Sequence, residues 1–113
     1  MARTARERIT GDPTSSTIYD VLMERISALP GCEVQENASS FHVARGRAFL
    51  GIHPRRGGLL VNIVLTRQLE SPRVFRSTRV SANRWHNEIL LLDAAALDAE
   101  LDGWIREAHD LTA

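Results

Sequence analysis

The chain has 113 residues, of which 43% are hydrophobic and 25% charged, values that fit one globular domain with a core of its own. Its formal net charge is +0, so no overall field draws it to nucleic acid or to a membrane surface. The charges are nevertheless segregated. Nine Arg and one acid lie between Ser40 and His86, whereas one Arg and seven acids follow His86.

The cysteine content and the N-terminus bear on localisation. Cys32 is the single cysteine, so an internal disulfide is excluded and a reducing compartment is indicated. The N-terminal residues have no apolar core of the kind found in a secretory signal, and no apolar run approaches the roughly 20 residues that span a bilayer. We therefore expect a cytoplasmic protein.

Residues 1–14 are predicted to be a flexible leader, and residues 15–113 a single domain. The first predicted helix is capped by Ser15, Ser16 or Thr17 and ends at Pro30-Gly31, where Pro cannot continue the helix and Gly favours a left-handed cap. Its apolar positions recur at helical spacing and define one buried face, formed by Ile18, Leu22, Ile26 and Leu29.

The segment 47–65 predicts a β-hairpin around which the fold is organised. Two apolar runs, 48–52 and 59–65, flank a turn that contains Pro and paired Gly, residues that reverse a chain and do not continue a ladder. The second run, LLVNIVL, is typical of a central strand buried on both faces, and Asn62 is its single polar residue. Weaker alternation predicts strands near 32–36 and 41–45.

The C-terminal half predicts two more strands and a helix. Residues 66–83 are irregular and rich in Arg, and they conceal a short strand near 74–80. Residues 84–92 alternate as a strand, and the pattern leaves open which sheet face carries His86. Asp93 is a suitable N-cap for a closing helix whose buried stripe is formed by Leu97, Leu101, Trp104 and Ala108. The order of elements predicts a two-layer α+β fold, in which an N-terminal and a C-terminal helix cover one face of an antiparallel sheet of four or five strands.

Four motifs resemble a known family in their order along the chain. They are the hairpin RAFLGIHPRRGGLLVNIVL, the irregular basic loop, the strand RWHNEILLLD and the helix LDAELDGWIREAH. Over about residues 18–110 the chain resembles the domain of unknown function numbered 5655, with His109 where that family usually has Tyr. The resemblance implies a small α+β fold and no assigned activity.

The candidate functional surface is the sheet face turned away from the helices. Strand alternation, applied without a bulge, places Arg47, Phe49 and His53 on that face, with Asn62 on the neighbouring strand. An aromatic side chain among hydrogen-bond donors suits a small anionic ligand or a partner, and an apolar sheet face suits self-association. The complete predicted surface, which includes the basic turn, consists of Arg47, Phe49, His53, Arg55, Arg56, Asn62, Arg84 and His86.

No pattern in the sequence indicates a catalytic or cofactor site. The four His residues lack metal-ligand spacing, and no phosphate-binding or nucleophile motif occurs, so no metal or cofactor is predicted. The sequence favours a non-catalytic binding or interaction domain. The alternative is an accessory module that binds anions or nucleic acid through Arg55, Arg56 and the Arg residues of the 66–83 loop, although few aromatic residues accompany them. Pairing of these Arg residues with the acidic closing helix is the competing explanation, and an enzyme with a His-Asn-Arg site is the least favoured.

Overall fold

The computed structural model describes residues 3–112. It is an α+β fold, as predicted, and its sheet has six antiparallel strands where four or five were expected. The strands lie in the order β1-β2-β3-β4-β6-β5. The elements are α1 (Ala5–Thr10), α2 (Pro13–Ser27), β1 (Glu33–Glu36), β2 (Phe41–Arg45), β3 (Arg47–Arg55), β4 (Gly58–Leu65), β5 (Val74–Ser81), β6 (Arg84–Leu91), a short 3-10 helix (Ala94–Ala96) and α3 (Ala99–Asp110).

The helices all pack on one face of the sheet and close a single core. Leu59, Val61 and Ile63 of β4 are inaccessible to solvent beneath them, together with buried residues of β2, β3 and β6. The predicted face of α2 is confirmed, because all four of its apolar residues are buried. None of the helices in residues 3–112 is long and apolar enough to cross a bilayer.

The predicted leader contains a helix. Within residues 3–14, helix α1 begins after Thr4, whose side chain accepts a hydrogen bond from the backbone of Glu7 while the Glu7 carboxylate accepts one from the backbone of Thr4. This reciprocal cap satisfies two otherwise free N–H groups. Ala5 and Ile9 are buried in the common core, so α1 packs as part of the domain.

The start of α2 holds the turn of the central hairpin. The helix is capped by Asp12, one residue before Pro13, and not by the Ser or Thr residues that the sequence indicated. The second carboxylate oxygen of Asp12 accepts a hydrogen bond from the Gly57 backbone at 2.8 Å. The fully buried Ser15 hydroxyl donates to the Gly58 carbonyl at 2.8 Å. These contacts fix the turn against the helix.

The hairpin is longer and its turn tighter than predicted. Pro54 and Arg55 belong to β3, and the reversal takes place at Arg56-Gly57, where Gly57 adopts a φ of 70°. Arg55 pairs with Gly58, so the next pair, Pro54 with Leu59, is of the non-hydrogen-bonded kind. On the other side of β3, strand β2 pairs only as far as Ile52, so it does not reach Pro54. The missing N–H of proline therefore interrupts no ladder.

A β-bulge in β3 changes which side chains share a face. Val43 pairs with Leu50 but Ala44 pairs with Ala48, so Phe49 is an extra residue in β3. Phe49 is buried, and its ring meets the ring of His109 on α3 at 5.6 Å between centroids. Arg47 likewise reaches the helix layer and donates to the Leu111 carbonyl at 3.0 Å. The prediction that Arg47 and Phe49 face away from the helices is wrong, because the bulge shifts the alternation by one residue.

Strands β5 and β6 enclose a buried amide. The predicted strand near 74–80 is confirmed as β5. Asn87 of β6 is fully buried on the helix face, where its oxygen accepts hydrogen bonds from the Leu69 backbone at 2.9 Å and from the Ser77 hydroxyl at 2.8 Å. Its amide nitrogen donates to the carbonyls of Ile63 and Arg67. Asn87 thereby fixes the course of the loop after β4.

The closing helix begins later than predicted and buries a different stripe. Asp93 caps the short 3-10 helix, and α3 starts at Ala99 after its own cap, Asp98. The buried side chains of α3 are Leu101, Ile105, Ala108 and His109. Trp104 was predicted in this stripe but is partly exposed, and the guanidinium of Arg73 lies 5.6 Å from its ring centroid.

Candidate functional site

The sheet face opposite the helices is occupied by polar and apolar side chains in alternation. Strand register places His53 next to Leu60, Leu60 next to Leu90, and Val64 next to His86 on that face. We call this surface the open face, defined by His42, Gly51, His53, Leu60, Asn62, Val64, His86, Glu88 and Leu90. The question left open by the sequence is answered: His86 shares this face with His53 and Asn62, while Trp85 and Asn87 lie on the helix side.

Two histidines meet over a glycine on the open face. The rings of His42 and His53 are perpendicular, with centroids 6.3 Å apart. A Cβ at Gly51 would lie 3.3 Å from the Nε2 of His53 and 3.5 Å from the Cβ of Asn62, so a larger residue would crowd the His53 ring. The Nδ1 of His42 is 2.9 Å from the amide nitrogen of Asn37. The glycine gives the two rings the room in which they pack.

Two histidines of the open face are biased toward the neutral form. Burial lowers the pKa of His53, and His42 and Arg55 lower it further. Burial also lowers the pKa of His86, with a smaller contribution from Arg84. A cation is disfavoured at each position because it loses hydration and faces other positive groups. These two imidazoles are therefore mostly uncharged at neutral pH, and the charged group beside them on the open face, Glu88, is paired with Arg76.

Three buried polar atoms near this face have no hydrogen-bond partner within residues 3–112. They are the side-chain oxygen of Asn62, the Nε2 of His86 and the Nε of Arg84. Buried polar atoms in native proteins are usually satisfied, and each exception carries a desolvation cost. Two of the three belong to the open face itself.

The structure divides the predicted surface into three places. His53, Asn62 and His86 lie together on the open face. Arg55 and Arg56 lie at the hairpin turn held by α2. The remaining three residues border a small cavity at the end of the sheet; they are Arg47, Phe49 and Arg84.

That cavity has a volume of about 40 Å³ and a mixed lining. Its polar residues come from three strand ends and from the end of α3; they are Arg47, Thr66, Asn83, Arg84 and Thr112. Apolar side chains complete the lining, among them Phe49 and Leu65. The structure thus brings Arg47, Phe49 and Arg84 together at this cavity, although Arg47 and Phe49 lie on the helix side of the sheet.

Several basic residues of the sheet segment are paired with the acidic closing helix. Arg67 forms a two-pronged ion pair with Glu107 at 2.8 and 3.0 Å. Arg73 contacts both Asp98 and Glu100, at 2.9 and 3.0 Å. The pairing lowers the pKa of Glu107 through its hydrogen bonds to Arg67. The charge segregation in the sequence thus joins the loop to α3 within one chain.

Sequence reasoning missed two of the polar positions that organise the molecule. His42 was assigned to a strand but not to the surface, although its alternation with Phe41 and Val43 places it on the open face. His109 is buried, and its Nε2 lies 2.8 Å from the Pro30 carbonyl and 3.1 Å from a guanidinium nitrogen of Arg45. Helical spacing from Leu101 and Ile105 was the signal for its burial, and the polarity of histidine obscured it.

The side chains of residues 3–112 contain no group of three or more His, Cys, Asp and Glu arranged to hold a metal ion. Cys32 is partly buried, and that burial raises the pKa of its thiol, which leaves less thiolate at neutral pH.

Comparison with known proteins places the chain in a family. No curated protein and no solved structure matches it. The family model described as Domain of unknown function (DUF5655) matches residues 6–112, nearly the whole chain. It spans every element from α1 to α3, including the open face and the cavity. The chain therefore belongs to the DUF5655 family of domains of unknown function.

Proposed function

We propose that this domain is a non-catalytic interaction module and that its open face binds a second copy of the same chain. The observation that carries the proposal is the one-sided packing of the sheet: three helices cover one face, and the opposite face of six strands has no covering element within residues 3–112. A sheet with apolar residues on both faces is ordinarily covered on both.

The composition of the open face favours burial in an interface. Leu60 and Leu90 are neighbours on adjacent strands; Leu60 is already buried, and Leu90 is 37% exposed. Val64 adds a partly buried aliphatic group. The histidines beside them have lowered pKa values, and Glu88 is paired with Arg76, so no unpaired carboxylate has to be dehydrated when the face is covered.

A second copy is the occupant whose size and chemistry match the face. Five intervals of about 4.8 Å between strands and a mean strand length of about seven residues give a face of roughly 550 Å². Two such faces bury about 1,100 Å² in total, the size of a weak, reversible interface. The face is also self-complementary in hydrogen bonding, since the Asn62 amide contains both a donor and an acceptor and a two-fold axis brings one to the other.

Sedimentation velocity across micromolar to high-micromolar concentrations tests the proposal. We expect a reversible dimer that is lost in Leu90→Glu, because that substitution puts a charge inside the interface. Val34→Glu is the matched control: Val34 is 43% exposed, similar to Leu90, but lies on an edge strand and on the helix side. A monomer at every concentration, or a dimer equally stable in Leu90→Glu, would overturn the proposal.

The pH dependence of association provides a second test. Protonation of His53 and His86 places cations on the face, so we expect the dimer to weaken as the pH falls below about 6. His53→Gln combined with His86→Gln removes both titrating rings and is expected to flatten this dependence. An association constant that does not change between neutral and mildly acidic pH in the unmodified chain contradicts the proposed surface.

Nucleic-acid binding is the weaker candidate function. Arg67 and Arg73 already pair with carboxylates of α3, and Arg76 pairs with Glu88 at 3.0 Å. Phosphate contacts would have to replace these pairs. We therefore expect binding that is weak and salt-sensitive, and tight binding at physiological salt that is lost in Arg55→Ala/Arg56→Ala would reverse this ranking.

A further inference from the structure

The cavity at the end of the sheet adjoins the open face at Val64, which belongs to both. Two of its residues, Arg47 and Arg84, carry guanidinium groups, and no Asp or Glu within residues 3–112 lines it. Neither arginine forms an ion pair with a carboxylate in that part of the chain, whereas the arginines of the neighbouring loop do. We propose that the cavity is a binding site for a small carboxylate.

The first argument is the unused hydrogen-bonding capacity of the two arginines. Arg47 donates to the Leu111 carbonyl at 3.0 Å, which uses one of the five N–H groups of its guanidinium. The Nε of Arg84 is buried and has no acceptor within residues 3–112. Because the Arg84 side chain borders the cavity, a small turn of its guanidinium toward an acceptor placed there would satisfy the free N–H. An oxyanion is the acceptor that arginine binds best.

The second argument is the size of the cavity. A water molecule needs roughly 10–15 Å³ of such space, so about 40 Å³ accommodates about three to four heavy atoms. Acetate has four heavy atoms, and a phosphate ion has five. The size therefore favours a carboxylate.

The third argument is the division of the lining into a polar and an apolar part. Thr66, Asn83 and Thr112 add neutral hydrogen-bonding groups beside the arginines, and Phe49 and Leu65 add an apolar wall. A ligand with one charged end and a short aliphatic end suits this lining. The Leu111 carbonyl, which would repel an anion, already accepts a hydrogen bond from Arg47. The site is thus chemically suited to acetate and comparably small aliphatic carboxylates.

Titration with acetate, followed by ¹⁵N–¹H NMR, tests the site in the intact chain. We expect saturable shifts of the Arg84 Nε–H signal and of the backbone amides of Thr66 and Asn83. Acetamide is the neutral probe of the same shape and is expected to produce none of them, and chloride at equal concentration controls for ionic strength. Shifts that grow linearly without saturation, or that acetamide reproduces, would overturn the proposal.

Substitutions then separate charge from geometry. Arg84→Gln removes the cation and is expected to weaken acetate binding on the order of ten-fold or more, the loss typical of a charge-assisted hydrogen bond. Arg84→Lys keeps the positive charge but lacks the paired N–H donors of a guanidinium, so its affinity for acetate should lie between those of Arg84→Gln and the unmodified chain. Arg79→Gln changes an exposed arginine of β5 that does not line the cavity, and it should bind like the unmodified chain.

A substitute variant and a comparison with the dimer complete the test. If Arg84→Gln fails to fold, Thr66→Val takes its place, since it removes a polar group from the lining and leaves both arginines. Unchanged acetate affinity in the folded variants refutes the site. Loss of acetate binding with the dimer intact, or the reverse, shows that the cavity and the open face act separately.

Discussion

The buried amide of Asn87 gives the sharpest test of how this fold is held together. We consider the substitution Asn87→Leu, which keeps a similar side-chain volume and removes both the donor and the acceptor. The side chain makes four hydrogen bonds, of which two are buried: the one from the Leu69 backbone at 2.9 Å and the one to the Ile63 carbonyl at 3.4 Å. After the substitution the Leu69 N–H has no partner, and no water replaces Asn87 unless the loop opens.

The magnitude follows from the groups left without partners. A buried backbone N–H without an acceptor costs about 1–3 kcal/mol. The Ser77 hydroxyl and the Arg67 carbonyl are closer to solvent and add less, so the total is about 2–4 kcal/mol. A domain of this size has a free energy of unfolding of about 5–15 kcal/mol, so the variant should fold but unfold at a clearly lower urea concentration.

The matched control is the same substitution on the next strand. The Asn62 oxygen has no partner within residues 3–112, so Asn62→Leu removes an unsatisfied group and should lie within about 0.5 kcal/mol of the unmodified chain or be more stable. Urea unfolding gives both free energies, and hydrogen exchange at the Leu69 amide reports the loop directly. If the two substitutions cost the same, or if Leu69 stays protected in Asn87→Leu, the hydrogen bonds of Asn87 do not hold the loop.

Three further predictions concern the contacts of single side chains. Leu101→Ala should cost about 2–5 kcal/mol because Leu101 is fully buried, while Trp104→Ala, at a partly exposed site, should cost only about 1–2 kcal/mol; equal thermal shifts would contradict this order. Ser15→Ala should cost about 1–2 kcal/mol by leaving the Gly58 carbonyl without its partner, and Ser16→Ala should cost less than about 0.5 kcal/mol in the same urea assay. Burial lowers the pKa of His53, so the imidazole is protonated at a higher pH in the unfolded chain than in the folded one. The stability that depends on a neutral His53 is therefore complete above about pH 6.5 and is lost as the pH falls below it. His53→Gln should reduce the fall in urea midpoint between about pH 7 and pH 5.

Periodicity predicted the elements whose burial is one-sided and regular. The face of α2 and the strand LLVNIVL were found because their apolar residues repeat at 3.6 and 2 residues in the structure as in the sequence. Six segments were predicted to be strands, and the expected sheet of four or five left out one or both of β1 and β5, edge strands in which no side chain is fully buried. Such strands are recognised by the backbone hydrogen bonds they form, and these leave little trace in hydrophobic patterning.

The helix at the start of the chain was missed for a different reason. The pattern Thr4-x-x-Glu7 is a capping-box signature, and Ala5 and Ile9 lie four residues apart on one face. Both signals were present. The many charged and small residues around them outweighed the single large apolar side chain of α1, and only packing against the sheet makes so short a helix stable.

The candidate site could be assembled from sequence only as far as strand alternation holds. A regular β3 would place Arg47, Phe49 and His53 on one face, as predicted. The bulge inserts Phe49, and every residue before it exchanges faces, so Arg47 joins the helix layer while His53 keeps its place. No residue in the segment AFLGI indicates a bulge, because the bulged position is occupied by Phe49, an aromatic residue, and not by a glycine.

The bulge also explains why one predicted surface becomes two sites of different character. It turns Arg47 and Phe49 toward α3, where they line a small cavity together with Arg84. No carboxylate of residues 3–112 lines this cavity, so none is there to neutralise the two arginines. The open face does not include the Arg47 guanidinium or the Phe49 ring. It retains His53 and Asn62 beside aliphatic groups and is nearly neutral. Covering a face without net charge with another protein costs little dehydration free energy. A cavity with two guanidinium groups that no carboxylate pairs with favours an anion. We therefore expect the extra residue in β3 to divide the proposed association surface from the proposed ligand site, so that Leu90→Glu should weaken only the dimer and Arg84→Gln only the binding of acetate.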